Sequence, residues 1–178
     1  MSKTIECNIF LIGFMGAGKS TISDFLRTVF AMEVVEMDQI IAEREGMSIS
    51  DIFELHGEAY FRDLETNLLK EMKNRSRVVV SCGGGTPMRE CNGAEMKKNG
   101  CIVLLTARPE TVFARTKDNH DRPLLEKNKS VEFIAELMEK RREKYEAAAD
   151  IIIETGGKNK KEICEELVRR VSAWSKKR

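Results

Sequence analysis

The 178-residue sequence has almost no excess of charge: 30 Lys+Arg against 29 Asp+Glu leave a net charge of +1. That balance excludes a globally basic nucleic-acid binder and an acidic tail, though not a local basic pocket. The five cysteines are odd in number and no two have CxxC spacing, which argues against a disulfide framework and a zinc site. Free thiols suit a reducing compartment. No apolar stretch approaches the ~20 residues of a membrane span. The N-terminal MSKTIECNIFLIG lacks the long apolar run and cleavage site of a secretory signal. No repeat or low-complexity linker interrupts the chain. What remains is a soluble, cytoplasmic protein expected to form a single domain over residues 1–178, with neither nucleic acid nor membrane as partner.

Short apolar runs alternate with longer amphipathic stretches. Strands are expected at 5–12, 33–37, 77–81, 101–105 and 150–153. Helices are expected at 20–30, 38–45, 50–73, 89–98, 109–117, 131–148 and 159–173. The polar stretch 118–130, with Pro123, reads as a loop. Strands alternating with helices predict an α/β fold, a doubly wound five-stranded parallel sheet with helices on both faces.

Residues 13–20, Gly-Phe-Met-Gly-Ala-Gly-Lys-Ser, match GxxxxGK[ST] between an apolar strand and an amphipathic helix. Glycines at Gly16 and Gly18 let successive N–H groups around Ala17 point into one concavity, and the following helix start, with Thr21, adds its positive end. Lys19 then reaches the β- and γ-phosphates of a nucleotide, and the Ser20 hydroxyl ligates Mg²⁺. A guanine-reading NKxD is missing, since the nearest string is Asn128-Lys129-Ser130-Val131. The third strand ends in Ser81-Cys82-Gly83-Gly84-Gly85 rather than in the acid of a motor ATPase. Small size and a short polar loop before helix 131–148 point to a small-molecule kinase.

Glu36 and Asp38 stand two apart at the end of the second strand, so their side chains are expected to face the same way, toward the ligand crevice. Asp38 could equally cap helix 38–45, and Glu36 could be a solvated charge. Arg62 lies off the stripe of Tyr60, Phe61, Leu64 and Leu68, which by periodicity alone makes it a surface arginine. Arg141 falls mid-stripe among Phe133, Ile134, Leu137, Met138 and Tyr145 and needs an anionic partner, whether a ligand or a salt bridge. Three glycines at 83–85 permit close approach to a ligand or a tight turn. His56, His120 and Cys82 read as bystanders.

Four segments carry a family resemblance: GFMGAGKS at 13–20, GEAYFRD at 57–63, SCGGGT at 81–86, and RPLL at 122–125 followed by EKRREKY at 139–145. With these the chain resembles the shikimate kinase family over about residues 5–170. The resemblance implies a P-loop kinase fold with a lid over about 118–130 and a substrate-binding helical region over about 38–73. It implies transfer of the γ-phosphoryl group of ATP, with Mg²⁺, to the 3-hydroxyl of shikimate on the route to chorismate and the aromatic amino acids, by an enzyme expected to be a monomer. It makes Asp38 the shikimate ligand and candidate base, and Arg62 and Arg141 the carboxylate ligands. Gly83, Gly84 and Gly85 would meet substrate hydroxyls, and Arg122 would be the lid arginine on the phosphates. Arg115 would stack on adenine, and Thr155-Gly156-Gly157-Lys158-Asn159, with Lys158 on the nucleotide, would form the other adenine wall. The family has Asp-x-Asp where this chain has Glu36-Met37-Asp38, so Glu36 would reach the metal through water. Two alternatives stay open: a gluconate or other carbohydrate kinase, and an inactive nucleotide-binding regulator.

Overall fold

The computed structural model describes residues 5–118, 128 and 130–178. Most of the segment expected as a lid, Arg122 and His120 included, lies outside them. Five strands form one sheet: β1 (Asn8–Ile12), β2 (Glu33–Glu36), β3 (Val78–Ser81), β4 (Gly100–Thr106) and β5 (Ile151–Glu154). All pairings are parallel, in the order β2-β3-β1-β4-β5. The helices are α1 (Lys19–Phe30), α2 (Met37–Glu45), α3 (Ile49–Glu71), α4 (Glu90–Asn99), α5 (Pro109–Thr116), α6 (Val131–Ala148) and α7 (Lys160–Ser175).

β1 is buried along its whole length, which is why it reads as an unbroken apolar run rather than an alternating one. Period two still sorts its side chains. Phe10 and Ile12 face α2 through α6 together with Val80, Ile102 and Leu104. Ile9 and Leu11 face α1 and α7 together with Val79, Val103 and Leu105. Each such fully buried side chain stabilises the fold by ~1.5–3 kcal/mol. Asn8 closes the opposite end of the sheet. Its amide nitrogen donates to the carbonyls of Arg75 and Asn99, and its oxygen accepts from Val78 N–H. Strand order reverses at β1, so the crevice beyond the carboxyl ends of β1 and β3 is where ligands of such sheets bind. No helix among the described residues is long and apolar enough to cross a membrane.

The expected helix over 50–73 is not continuous. Gly57 interrupts α3 with φ 83° and ψ 170°, a region open essentially to glycine alone. The first half of α3 is thereby re-aimed, bringing the Phe53 ring to 4.8 Å from Phe61. A β-carbon on Gly57 would meet nothing within 4 Å, so the demand for glycine comes from the backbone alone. Gly57→Ala should therefore lower unfolding free energy by about 1–3 kcal/mol. Urea denaturation measures it, and an unchanged midpoint and slope would show that the break tolerates a side chain.

Candidate active site

The loop leaving β1 wraps the start of α1. Gly18 precedes the helix with φ 104°, and Ala17 N–H closes a turn on the Phe14 carbonyl. Lys19 Nζ folds back over this loop and donates to the carbonyls of Gly13 (2.7 Å) and Phe14 (3.1 Å). Two distant segments brace it. Arg115 Nη1 donates to the Gly16 carbonyl at 3.0 Å, and the buried Thr155 hydroxyl lies 3.2 Å from the Ala17 carbonyl. The result is a cradle of backbone N–H groups and a helix N-terminus, suited to phosphate.

Glu36 closes β2 beside this cradle. Its carboxylate accepts from the hydroxyls of Ser20 (3.1 Å) and Ser23 (2.6 Å). The strand ends there, and Met37 already begins α2. Asp38 is therefore a helix residue, and the expected strand parity between Glu36 and Asp38 does not apply. Nor does Asp38 cap the helix, because Glu36 holds that position. Both acids nevertheless line one open cleft of about 1200 Å³, with Gly18, Lys19, Ser20, Gly83 and Gly84. Asp38 Oδ1 lies 3.0 Å from where a β-carbon on Gly83 would stand. Arg115 lines the same cleft, and so does Lys160, which sequence reasoning passed over. Lys158 pairs instead with Glu166 at 2.7 Å.

Two arginines reach the glycine run from opposite helices. Arg62, read from the helical wheel as a surface residue, is only 9% exposed, whereas Tyr60 of the expected stripe is 37% exposed. The reversal follows from the Gly57 break and from partners the wheel could not show. Arg62 Nη1 donates to Glu65 at 2.7 Å and Nη2 to Glu58 at 3.1 Å. Its guanidinium carbon is 5.3 Å from the Phe61 ring centroid and 6.0 Å from that of Phe53. A β-carbon on Gly85 would overlap that guanidinium, so glycine is required for the close approach. Burial acts to lower the Arg62 pKa, but Glu65 and Glu58 more than offset it and leave it raised. Arg141, on α6, carries its guanidinium carbon 5.7 Å from the Phe14 ring centroid. Its Nη1 is enclosed and has no hydrogen-bond partner among the described residues.

Sequence reasoning missed Glu65. It is fully buried, with Arg62 on one oxygen and the Thr86 hydroxyl on the other at 2.5 Å. The signal was present: positions 61, 65, 68 and 69 share one helical face, and an acid among Phe61, Leu68 and Leu69 is anomalous there. Cys82 is buried against Met96 as a packed residue.

A phosphate loop, two acids where β2 gives way to α2, and two arginines converging on a glycine run at the switch point of a parallel sheet define a P-loop small-molecule kinase. The family model for shikimate kinase matches residues 15–172. A shikimate kinase of Persephonella marina is 44% identical over 164 residues, spanning 92% of this chain and 98% of its own. A solved structure, shikimate kinase from Acinetobacter baumannii in complex with shikimate, superposes with a TM-score of 0.89 at 30% identity, over 96% of this chain and 95% of that one. A gluconokinase from Sinorhizobium meliloti superposes with a TM-score of 0.61 at 15% identity, over 97% of this chain and 95% of that one, a likeness of fold alone. The chain belongs to the shikimate kinase family.

The burial of Glu65 yields a prediction about pH. Burial raises its pKa from the ordinary 4.5, with Arg62 and Thr86 acting against the rise. A carboxyl whose pKa is higher folded than unfolded binds more protons in the folded state, so its contribution to stability is full below the ordinary value and lost as pH rises through the raised one. Compared with Glu65→Gln, which cannot ionise, wild type should gain stability on acidification from neutral pH toward 4.5. Paired urea titrations across that range test this, and a relative loss on acidification would overturn the assignment of burial as the dominant influence.

Proposed function

We propose that the protein is a shikimate kinase, transferring the γ-phosphoryl group of ATP to the 3-hydroxyl of shikimate in the cytoplasm, as a monomer. One observation carries the choice of acceptor: an enclosed Arg141 Nη1 beside Gly84 with no hydrogen-bond partner among the described residues. A buried guanidinium nitrogen left unpaired is costly, and the carboxylate of shikimate would satisfy it.

On this reading the N–H cradle at 16–21, the α1 N-terminus and Lys19 hold the triphosphate and the charge that spreads over the transferring oxygens. Arg115 and the segment 155–159 flank the base. Arg141 and Arg62 grip the acceptor carboxylate, for which a planar fork of donors is suited. Asp38, beside Gly83, orients the acceptor hydroxyl and receives its proton. The helical region at about 38–73 forms the acceptor side. Arg122, which lies outside the described residues, takes the lid role on the strength of RPLL alone.

The residues present also fit Mg²⁺. The Ser20 hydroxyl and the Glu36 carboxylate are hard oxygen donors 3.1 Å apart. Mg²⁺ keeps several waters and binds substrate phosphates, so two protein oxygens suffice to help hold it. Bound there, Mg²⁺ would neutralise phosphate charge. The longer side chain of Glu36 reaches the hydroxyls of Ser20 and Ser23, so the departure from Asp still leaves a carboxylate beside Ser20.

A coupled ADP-release assay with shikimate, gluconate or no acceptor tests the function. Turnover is expected with shikimate alone, and equal rates with gluconate or without acceptor would refute it. Lys19→Ala should lower turnover by roughly 10²-fold or more while leaving the melting temperature nearly unchanged. A variant with near-normal turnover would remove Lys19 from the mechanism. Arg141→Met should weaken shikimate binding by about 2–5 kcal/mol and spare ATP. Calorimetry separates the two ligands, and a selective loss of ATP affinity would reassign Arg141 to the nucleotide.

A further inference from the structure

The middle glycine of the run is held differently from its neighbours. The Gly83 carbonyl accepts from Thr86 N–H (3.1 Å) and the Gly85 carbonyl from Met88 N–H (3.0 Å), both local backbone bonds. The Gly84 carbonyl accepts instead from the hydroxyl of Tyr145, at 2.5 Å, from α6. Tyr145 is 5% exposed. Burial raises its pKa, with the charge and a side-chain hydrogen bond of Arg141 acting against the rise, and the raised value keeps the phenol protonated and a donor.

The Gly84 carbonyl and the Gly85 N–H belong to one peptide plane and point in opposite directions. Both flanking residues lack a β-carbon, so little in the local chain resists rotation of that plane. Its location gives the orientation consequence. A β-carbon on Gly84 would lie 3.5 Å from Arg141 Nη1, 3.8 Å from the Gly13 carbonyl oxygen and 3.8 Å from Met15 N. The peptide thus sits beside both the phosphate loop and the arginine assigned to the acceptor. We propose that Tyr145 is a positioning residue that locks the Gly84–Gly85 peptide, keeping the Gly85 N–H turned away from α6 as a donor at the junction of the two substrates. This rests on the shikimate kinase reading above. With the plane flipped, an oxygen would face two anionic partners, the acceptor carboxylate and the transferring phosphoryl group. Tyr145 lies one helical turn beyond Arg141, so a single helix face delivers both the carboxylate ligand and the lock.

Tyr145→Phe removes one oxygen and keeps the ring. Losing the hydroxyl's bonds to the Gly84 carbonyl and to Arg141 should lower kcat/KM for shikimate by roughly 10-fold, divided between a higher shikimate KM and a lower kcat. The ADP dissociation constant should stay within about 2-fold, since the phosphate loop is untouched. A purely structural role would instead lower the melting temperature and weaken both substrates alike. Without any substrate, ¹⁵N relaxation dispersion should show a single unbroadened Gly85 amide in wild type and microsecond-to-millisecond exchange in Tyr145→Phe. Unchanged kcat/KM, parallel loss of both substrates, or exchange already present in wild type would each overturn the proposal. Wild-type enzyme inactive on shikimate would sink the functional reading while leaving the relaxation test of the lock intact.

Discussion

A carboxylate with no access to water must find its partners inside the protein, and Glu65 is that carboxylate here. Its two oxygens are taken by Arg62 and Thr86, one on its own helix and one at the end of the glycine run. The ion pair therefore joins α3 to the segment leaving β3. Asn92 extends the connection, since its amide donates to the Thr86 carbonyl while its oxygen accepts from Thr66. Removing any one partner would strand a charge or a donor in a dry place, a far larger loss than the pair contributes when intact. That asymmetry accounts for a polar chain running through an otherwise apolar face of the sheet.

The sheet itself was legible because its central strands β1, β3 and β4 are buried on both faces. A run such as Asn8–Ile12 has no polar alternation to confuse with a helix. The phosphate loop was legible because its chemistry demands particular residues at fixed spacing, and the strand before it and helix after it stand where the motif requires. Arg141 was legible by charge on an apolar stripe. The same test applies to α3, where Glu65 sits on the buried face with Phe61, Leu68 and Leu69.

Arg62 failed for a different reason. Arg62 and its stripe share the axis after Gly57, but the break folds the preceding turn, with Phe53, back over them. A wheel also knows nothing of segments arriving from elsewhere, and Arg62 is covered by Phe53 from before the break and by Gly85 from another strand end. Tyr60, set in the stripe by spacing, turns outward to the Glu45 carboxylate at 2.7 Å. The parity argument for Glu36 and Asp38 broke at the strand-to-helix change between them, yet both still line the cleft, while Met37 between them is buried in the core.

The all-parallel order has a consequence in time. β1 acquires its neighbours only when Val79 and Cys101 arrive beside Ile9, and the phosphate loop that follows it is braced by Thr155 near the other end of the chain. Such distant pairings are slow to form because loop closure precedes any reward from contact. On a ribosome releasing residues from the N-terminus first, the nucleotide cradle is among the earliest segments synthesised and among the last to take its working shape. A nascent chain of this protein lacks the Thr155 brace of that cradle until β5 has emerged.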